Sequence, residues 1–136
     1  MLTLFPKQPK TPDAAVWIDL FNATDAEIKS VTSSLNVRIP ARADLEEIES
    51  SSRFQVDDGW IQLSTPISAH GDDEGPTPVG FMLSEKFLIT IRYTAMRGFE
   101  GASKLFTKEN AAACATDEVF AYIIEGMVDY GADMLE

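Results

Sequence analysis

Cysteine and histidine are nearly absent from this sequence of 136 residues, which holds one of each, Cys114 and His70. A single cysteine excludes an internal disulfide, and a reduced compartment is the simplest setting for it. A zinc site built from several Cys and His ligands cannot be assembled within one chain. A Ser-His-Asp triad would have to use His70, which stands in His70-Gly-Asp-Asp-Glu-Gly-Pro76, the most loop-like stretch present. Basic clusters are missing too. Against 22 Asp and Glu there are 11 Lys and Arg, a formal net charge of −11. That charge repels phosphate and argues against nucleic acid as a partner. No run approaches the roughly 18 apolar residues of a membrane span. Met1-Leu-Thr-Leu-Phe-Pro-Lys7 is too short and too weakly apolar for a signal peptide. Gly-rich phosphate loops and the D-x-[DN]-x-[DN]-G run of an EF-hand are also absent.

What is present is enough for one domain. Hydrophobic residues make up 45 % of the chain, with eight Phe, two Trp and three Tyr among them. A chain of this length buries roughly two thirds of the surface its unfolded form exposes, so no disulfide or metal is needed for folding. Residues 1–13, with Pro6, Pro9 and Pro12, read as a short strand or extended arm and a turn-rich connector. Ala14–Leu20 is a compact apolar run with a buried strand at its centre. Thr24 and Glu27 fit a capping box ahead of Ile28, Val31 and Leu35, which predicts a helix over 24–35. Pro40 opens a second helical segment with Leu45 and Ile48 on one face. Asp44, Glu46, Glu47 and Glu49 crowd its early turns, where the helix dipole offsets part of their repulsion. Arg53–Gly59 and Trp60–Ser68 form a hairpin through an Asp-Gly turn, and Val79–Leu83 and Phe87–Tyr93 form the strongest hairpin signal. Residues 97–108 are a weaker helix candidate. From Thr116 onward, Val119, Phe120, Ile123, Ile124, Met127 and Val128 trace one helical stripe, and Glu118, Glu125, Asp129, Asp133 and Glu136 trace an acidic one. No stop signal follows, and the pattern reads as a piece of a longer chain.

Carboxylates are the only abundant functional group. They cluster at Asp44/Glu46/Glu47/Glu49, at Asp57/Asp58 and at Asp72/Asp73/Glu74. The plain reading of each cluster is a solvated surface, since charged side chains are rarely buried. The functional reading is a site for a hard cation such as Mg2+, which takes oxygen ligands and keeps several waters, so that one or two carboxylates suffice. Cys114, in Ala-Ala-Ala-Cys-Ala, reads as a buried small residue, His70 as an exposed loop residue, and Trp17 and Trp60 as core. With no nucleophile or acid–base pairing that can be named, a small acidic hydrolase is disfavoured and the chain does not read as an enzyme.

Four stretches occur together in order: Ala15-Val-Trp-Ile-Asp-Leu20; Asp44-Leu-Glu-Glu-Ile-Glu-Ser-Ser-Ser-Arg53 with Val56-Asp-Asp-Gly59; Phe87-Leu-Ile-Thr-Ile-Arg92; and Ile124-Glu-Gly-Met-Val-Asp129. As an ordered set covering nearly the whole chain, they resemble the N-terminal cytoplasmic domain of the CorA family of magnesium and cobalt channels. The resemblance implies an α/β fold, a three-layer α/β/α sandwich with a mixed parallel and antiparallel sheet, over residues 1–136 as a single domain. It implies a full-length homopentamer in which a stalk helix and two C-terminal membrane helices follow this domain. These residues hold neither those elements nor the family's Gly-Met-Asn pore motif. The domain would lie on the cytoplasmic face of the inner (plasma) membrane, reaching the membrane only through the missing C-terminal segment. As a fragment it would be soluble, and a monomer or weak oligomer.

The resemblance also implies a regulatory role. Divalent ions, Mg2+ and also Co2+, would bind between the domains of neighbouring subunits and hold the channel closed. The family positions that supply acids match Glu46 and Glu47 in the second helix and Glu125 in the last. Glu47 and Glu125 stand where the family often has Asp, so their oxygens reach about one bond further out. Two other readings compete: a ZntB-type zinc transporter, against which the single His and Cys argue, and a stand-alone soluble metal-binding or interaction module.

Overall fold

Alternation along the strands decides which side chains face which layer, because successive residues of a strand point to opposite sides of a sheet. In the strand Trp17–Phe21, Trp17 joins one apolar cluster and Ile18 and Leu20 join another. The next-door strand Leu88–Arg92 divides in the same way, Leu88 to the first cluster and Ile89 and Ile91 to the second. A sheet with two apolar faces needs helices on both. The chain supplies them.

The computed structural model describes residues 1–5, 9–46, 54–67, 77–106 and 115–135. Its strands are β1 (Leu2–Phe5), β2 (Trp17–Phe21), β3 (Phe54–Asp57), β4 (Trp60–Ile67), β5 (Thr77–Leu83) and β6 (Leu88–Arg92). They form one six-stranded sheet in the order β1-β2-β6-β5-β4-β3. Only β2 and β6 run parallel, with Trp17 opposite Leu88; the other neighbours are antiparallel. The helices are α1 (Asp25–Leu35), α2 (Arg42–Leu45), α3 (Arg97–Phe106) and α4 (Thr116–Leu135). This is the mixed-sheet α/β/α sandwich expected above.

Local chemistry explains the boundaries. The Thr24 hydroxyl accepts the Glu27 N–H at 3.2 Å, and the Glu27 carboxylate accepts the Thr24 N–H at 2.9 Å. The reciprocal pair starts α1. Asn36 ends it in the left-handed conformation at φ 51°. The β3–β4 hairpin turns through Asp58 and Gly59 at φ 47° and 81°, the positive-φ pair of a two-residue hairpin. The second helix starts at Arg42, two residues after the buried Pro40, and its described part is one turn.

Apolar side chains on α3 and α4 cover one face of the sheet. Phe99, Ala102, Phe106, Val119 and Ile123 pack there with Phe5, Trp17, Val79, Phe81 and Leu88. Val31 of α1 and Leu45 of α2 cover the other, with Leu4, Ile18, Leu20, Met82, Ile89 and Ile91. Trp17 is core as expected, stacked on Phe5 at 4.3 Å. Trp60 is only half-buried and stacks on Phe87 at the rim of the second cluster. Cys114 and His70 lie outside the described residues.

Candidate functional site

Of the three expected ligands, Glu46 ends α2, where its N–H donates to the Arg42 carbonyl. The side chain is about half exposed and accepts a hydrogen bond from Arg42 Nε at 2.9 Å. Glu125 is exposed on α4. Glu47 lies outside the described residues. Helix α2 packs on the sheet through Leu45, whose methyls meet Gly80, and belongs to the α1 layer. Helix α4 belongs to the α3 layer, through Val119 and Ile123. Glu46 and Glu125 therefore stand on opposite sides of the sheet. Carboxylate oxygens are the right donors for Mg2+. Among the described residues, however, no three His, Cys, Asp or Glu gather into a group able to hold a metal ion. A site using both glutamates needs two copies of the chain.

Around Glu46 the charges are already arranged. Arg42 lies over the ring of Tyr93, 4.8 Å from guanidinium carbon to ring centroid. Asp44 accepts the Ala41 N–H at 3.0 Å and pairs with Arg38 at 3.2 Å. Burial pushes the Tyr93 phenol above its ordinary value, Arg42 opposes the rise and Glu46 adds to it. The phenol is thus neutral at physiological pH, and Arg42 meets an uncharged ring.

A second polar constellation lies on the other face, inside the core, and the sequence did not disclose it. Trp17 Nε1 donates to Thr90 Oγ1 at 2.9 Å, and Thr90 Oγ1 donates to Asp19 Oδ1 at 2.8 Å. Arg92 grips the same carboxylate, with Nη2 at 2.9 Å from Oδ2 and Nε at 3.2 Å from Oδ1. Its guanidinium is sandwiched between the rings of Phe21 and Phe99, at 4.3 and 4.5 Å. Asp19 and Arg92 are 4 % and 7 % exposed. The four hydrogen-bonded side chains come from β2 and β6 at alternate positions, so the parallel pairing of those strands builds the network, and α3 adds the Phe99 ring. Its ligand capacity is spent on itself, which makes it structural. The signal was there in Trp17-x-Asp19 and Thr90-x-Arg92, one face of each strand, but their pairing across 73 residues was not.

An apolar groove of about 380 Å³ separates α4 from the sheet, lined by Leu63, Ser64, Thr65, Phe81, Ile124, Met127 and Val128. It offers no carboxylate and does not suit a hard cation.

The fold and its carboxylates thus describe an acidic α/β sandwich with candidate cation ligands on both outer layers. A family model described as CorA-like Mg2+ transporter protein matches residues 12–136, and the chain belongs to that family. It is 28 % identical over 134 residues to the magnesium transport protein CorA of Wolinella succinogenes, covering 94 % of this chain and 42 % of that protein. It is 33 % identical over 87 residues to the magnesium transport protein CorA of Escherichia coli K12, covering 62 % of this chain and 28 % of that protein. The chain thus spans about two fifths or less of the length of these curated relatives. The complete structure of the CorA magnesium transporter from Methanocaldococcus jannaschii shares the fold with a TM-score of 0.64 at 15 % identity, over 88 % of this chain and 38 % of that one. The structure of the soluble domain of that CorA matches with a TM-score of 0.54 at 16 % identity, over 76 % and 44 %. No helix of the described residues is long and apolar enough to cross a membrane.

Proposed function

We propose that residues 1–136 are one domain that senses divalent cations, on the cytoplasmic face, for a CorA-type magnesium transporter, with Mg2+ and also Co2+ as regulatory ions and subunits of the same protein as partners in a homopentamer. One observation carries the reading: Glu46 and Glu125 lie on opposite outer layers of the sandwich. A carboxylate on each layer lets the α2 side of one subunit face the α4 side of the next in a closed ring. Glu47 joins Glu46 in this reading. An excess of 11 negative charges keeps neighbouring domains apart until a cation bridges them. Mg2+ between the layers offsets that repulsion and holds the closed arrangement, and its loss frees the domains to move. The ion shifts the equilibrium only by its differential affinity for the closed state.

The test is Mg2+ flux through the full-length protein with Glu46, Glu47 and Glu125 all changed to Ala. Transport should persist at internal Mg2+ concentrations that shut the unmodified channel. Unchanged inhibition by internal Mg2+ would sink the assignment of these residues.

A further inference from the structure

We propose that Arg42 is the resident counter-ion of Glu46 and competes with a divalent cation for it, setting how much metal the domain needs before it responds. The inference rests on the proposed role of Glu46 and adds a residue to it. Two separate contacts hold the guanidinium in place. Its Nε donates to Glu46 Oε1 at 2.9 Å, and its carbon stands 4.8 Å from the centroid of the Tyr93 ring. The helix spacing i, i+4 makes the first contact, and Tyr93, the residue that follows β6, supplies the second. The guanidinium is thus held by a group outside its own helix as well as by one within it.

A divalent ion at Glu46 meets a carboxylate with one oxygen already hydrogen-bonded and a positive charge within hydrogen-bond distance. It must turn Arg42 away or accept its repulsion. Both Arg42 and Glu46 are about half exposed, 53 % and 52 %, so the exchange needs no unfolding. Arg38 is the internal control. It carries the same charge nearby but pairs with Asp44, at 3.2 Å, and not with Glu46.

Mg2+ binding to the protein in its native length is measured by titration calorimetry for the unmodified protein, Arg42→Gln, Arg42→Lys, Arg38→Gln and Glu46→Gln. Arg42→Gln should bind Mg2+ about three- to twelvefold more tightly, the combined scale of an exposed i, i+4 pair and a cation–π contact. Arg38→Gln should change the affinity less. Arg42→Lys, which keeps the charge and loses the planar fork, should fall between the unmodified protein and Arg42→Gln, and it serves as the folded reference. Circular dichroism of each variant reads helix content independently of metal. If Glu46→Gln weakens binding while Arg42→Gln and Arg38→Gln shift it equally, Arg42 acts only through overall charge and the competition is overturned, with the role of Glu46 left standing. If Glu46→Gln leaves binding unchanged, or the unmodified protein shows no saturable Mg2+ binding, both readings fall.

Discussion

Two carboxylates illustrate how far context decides what an acid does. Asp19 is buried and fully engaged by Thr90 and Arg92. Removing one member of a buried pair strands the other, at a cost of about 3–5 kcal/mol, whereas replacing both by apolar groups of similar volume is often near neutral. Asp19→Ala should therefore lose about 3–5 kcal/mol in urea unfolding, and Asp19→Leu with Arg92→Met together should lose much less. Equal losses in the single and double variants would mean that the network does not act as a pair. Glu27 is the contrasting case. Its carboxylate accepts the N–H groups of Thr24 and of Leu2, the latter at 2.6 Å, so it joins the cap of α1 to the first strand. The bond from the Thr24 backbone is the main cause that holds its pKa below the ordinary 4.5. A carboxyl whose folded pKa is lowered contributes stability above its unfolded pKa and loses it as pH falls through the folded value. Glu27→Gln keeps one acceptor oxygen for two N–H donors and should thus cost about 1 kcal/mol at neutral pH, the scale of one lost hydrogen bond. The difference from the unmodified protein should shrink steadily once the pH drops below 4.5. A gap that stays constant to pH 2 would show that the charge contributes nothing.

At the scale of elements, the glycines between α3 and α4 separate two kinds of packing. A Cβ on Gly126 of α4 would come within 2.8 Å of the Gly98 Cα in α3. That neighbour is backbone and cannot rotate away, so the helices must part. Gly126→Ala should destabilise by about 1–2 kcal/mol even though alanine favours the helix by about 1 kcal/mol. Elsewhere between the two helices, a Cβ on Gly101 of α3 would rest 3.5 Å from the Tyr122 hydroxyl of α4, an ordinary contact. Gly101→Ala should stabilise by up to about 1 kcal/mol. Thermal unfolding of the two variants, shifting in opposite directions, checks the helix contact directly. Much of the architecture around these helices was legible in the sequence. Phe87, Ile89, Ile91 and Tyr93 share a face because period-2 alternation places them there, and all four meet the second cluster. The Thr24–Glu27 box and the Asp58-Gly59 turn were readable because their chemistry is local. The distribution of helices between the two faces was not, because it depends on which strands pair. Nor was the Asp19–Arg92 bond, since periodicity within a strand carries no information about its neighbour. The proposal of Glu46 and Glu125 as ligands came only through family resemblance. The Arg42–Glu46 pair could have been found from its i, i+4 spacing alone.

For the whole molecule, the decisive quantities are a net charge of −11 and the placement of glutamates on both outer layers. Diffuse repulsion between copies is screened by any salt over a Debye length of about 8–10 Å. A bridging cation acts differently, because it requires a ligand from each side. These two effects separate experimentally. At low ionic strength the 136-residue chain should sediment as a monomer or weak oligomer, and Mg2+ should shift it toward larger species. NaCl at matched ionic strength should produce less association. If the glutamates bridge, Glu46→Gln and Glu125→Gln should each remove the excess caused by Mg2+, since either change deletes one side of the seam. Both should leave the response to NaCl nearly intact, since one charge in 11 alters diffuse repulsion little. Equal responses to the two salts, in the unmodified chain and in the variants, would reduce the acidic surface to a solubilising shell and remove the physical basis for cation control at this domain.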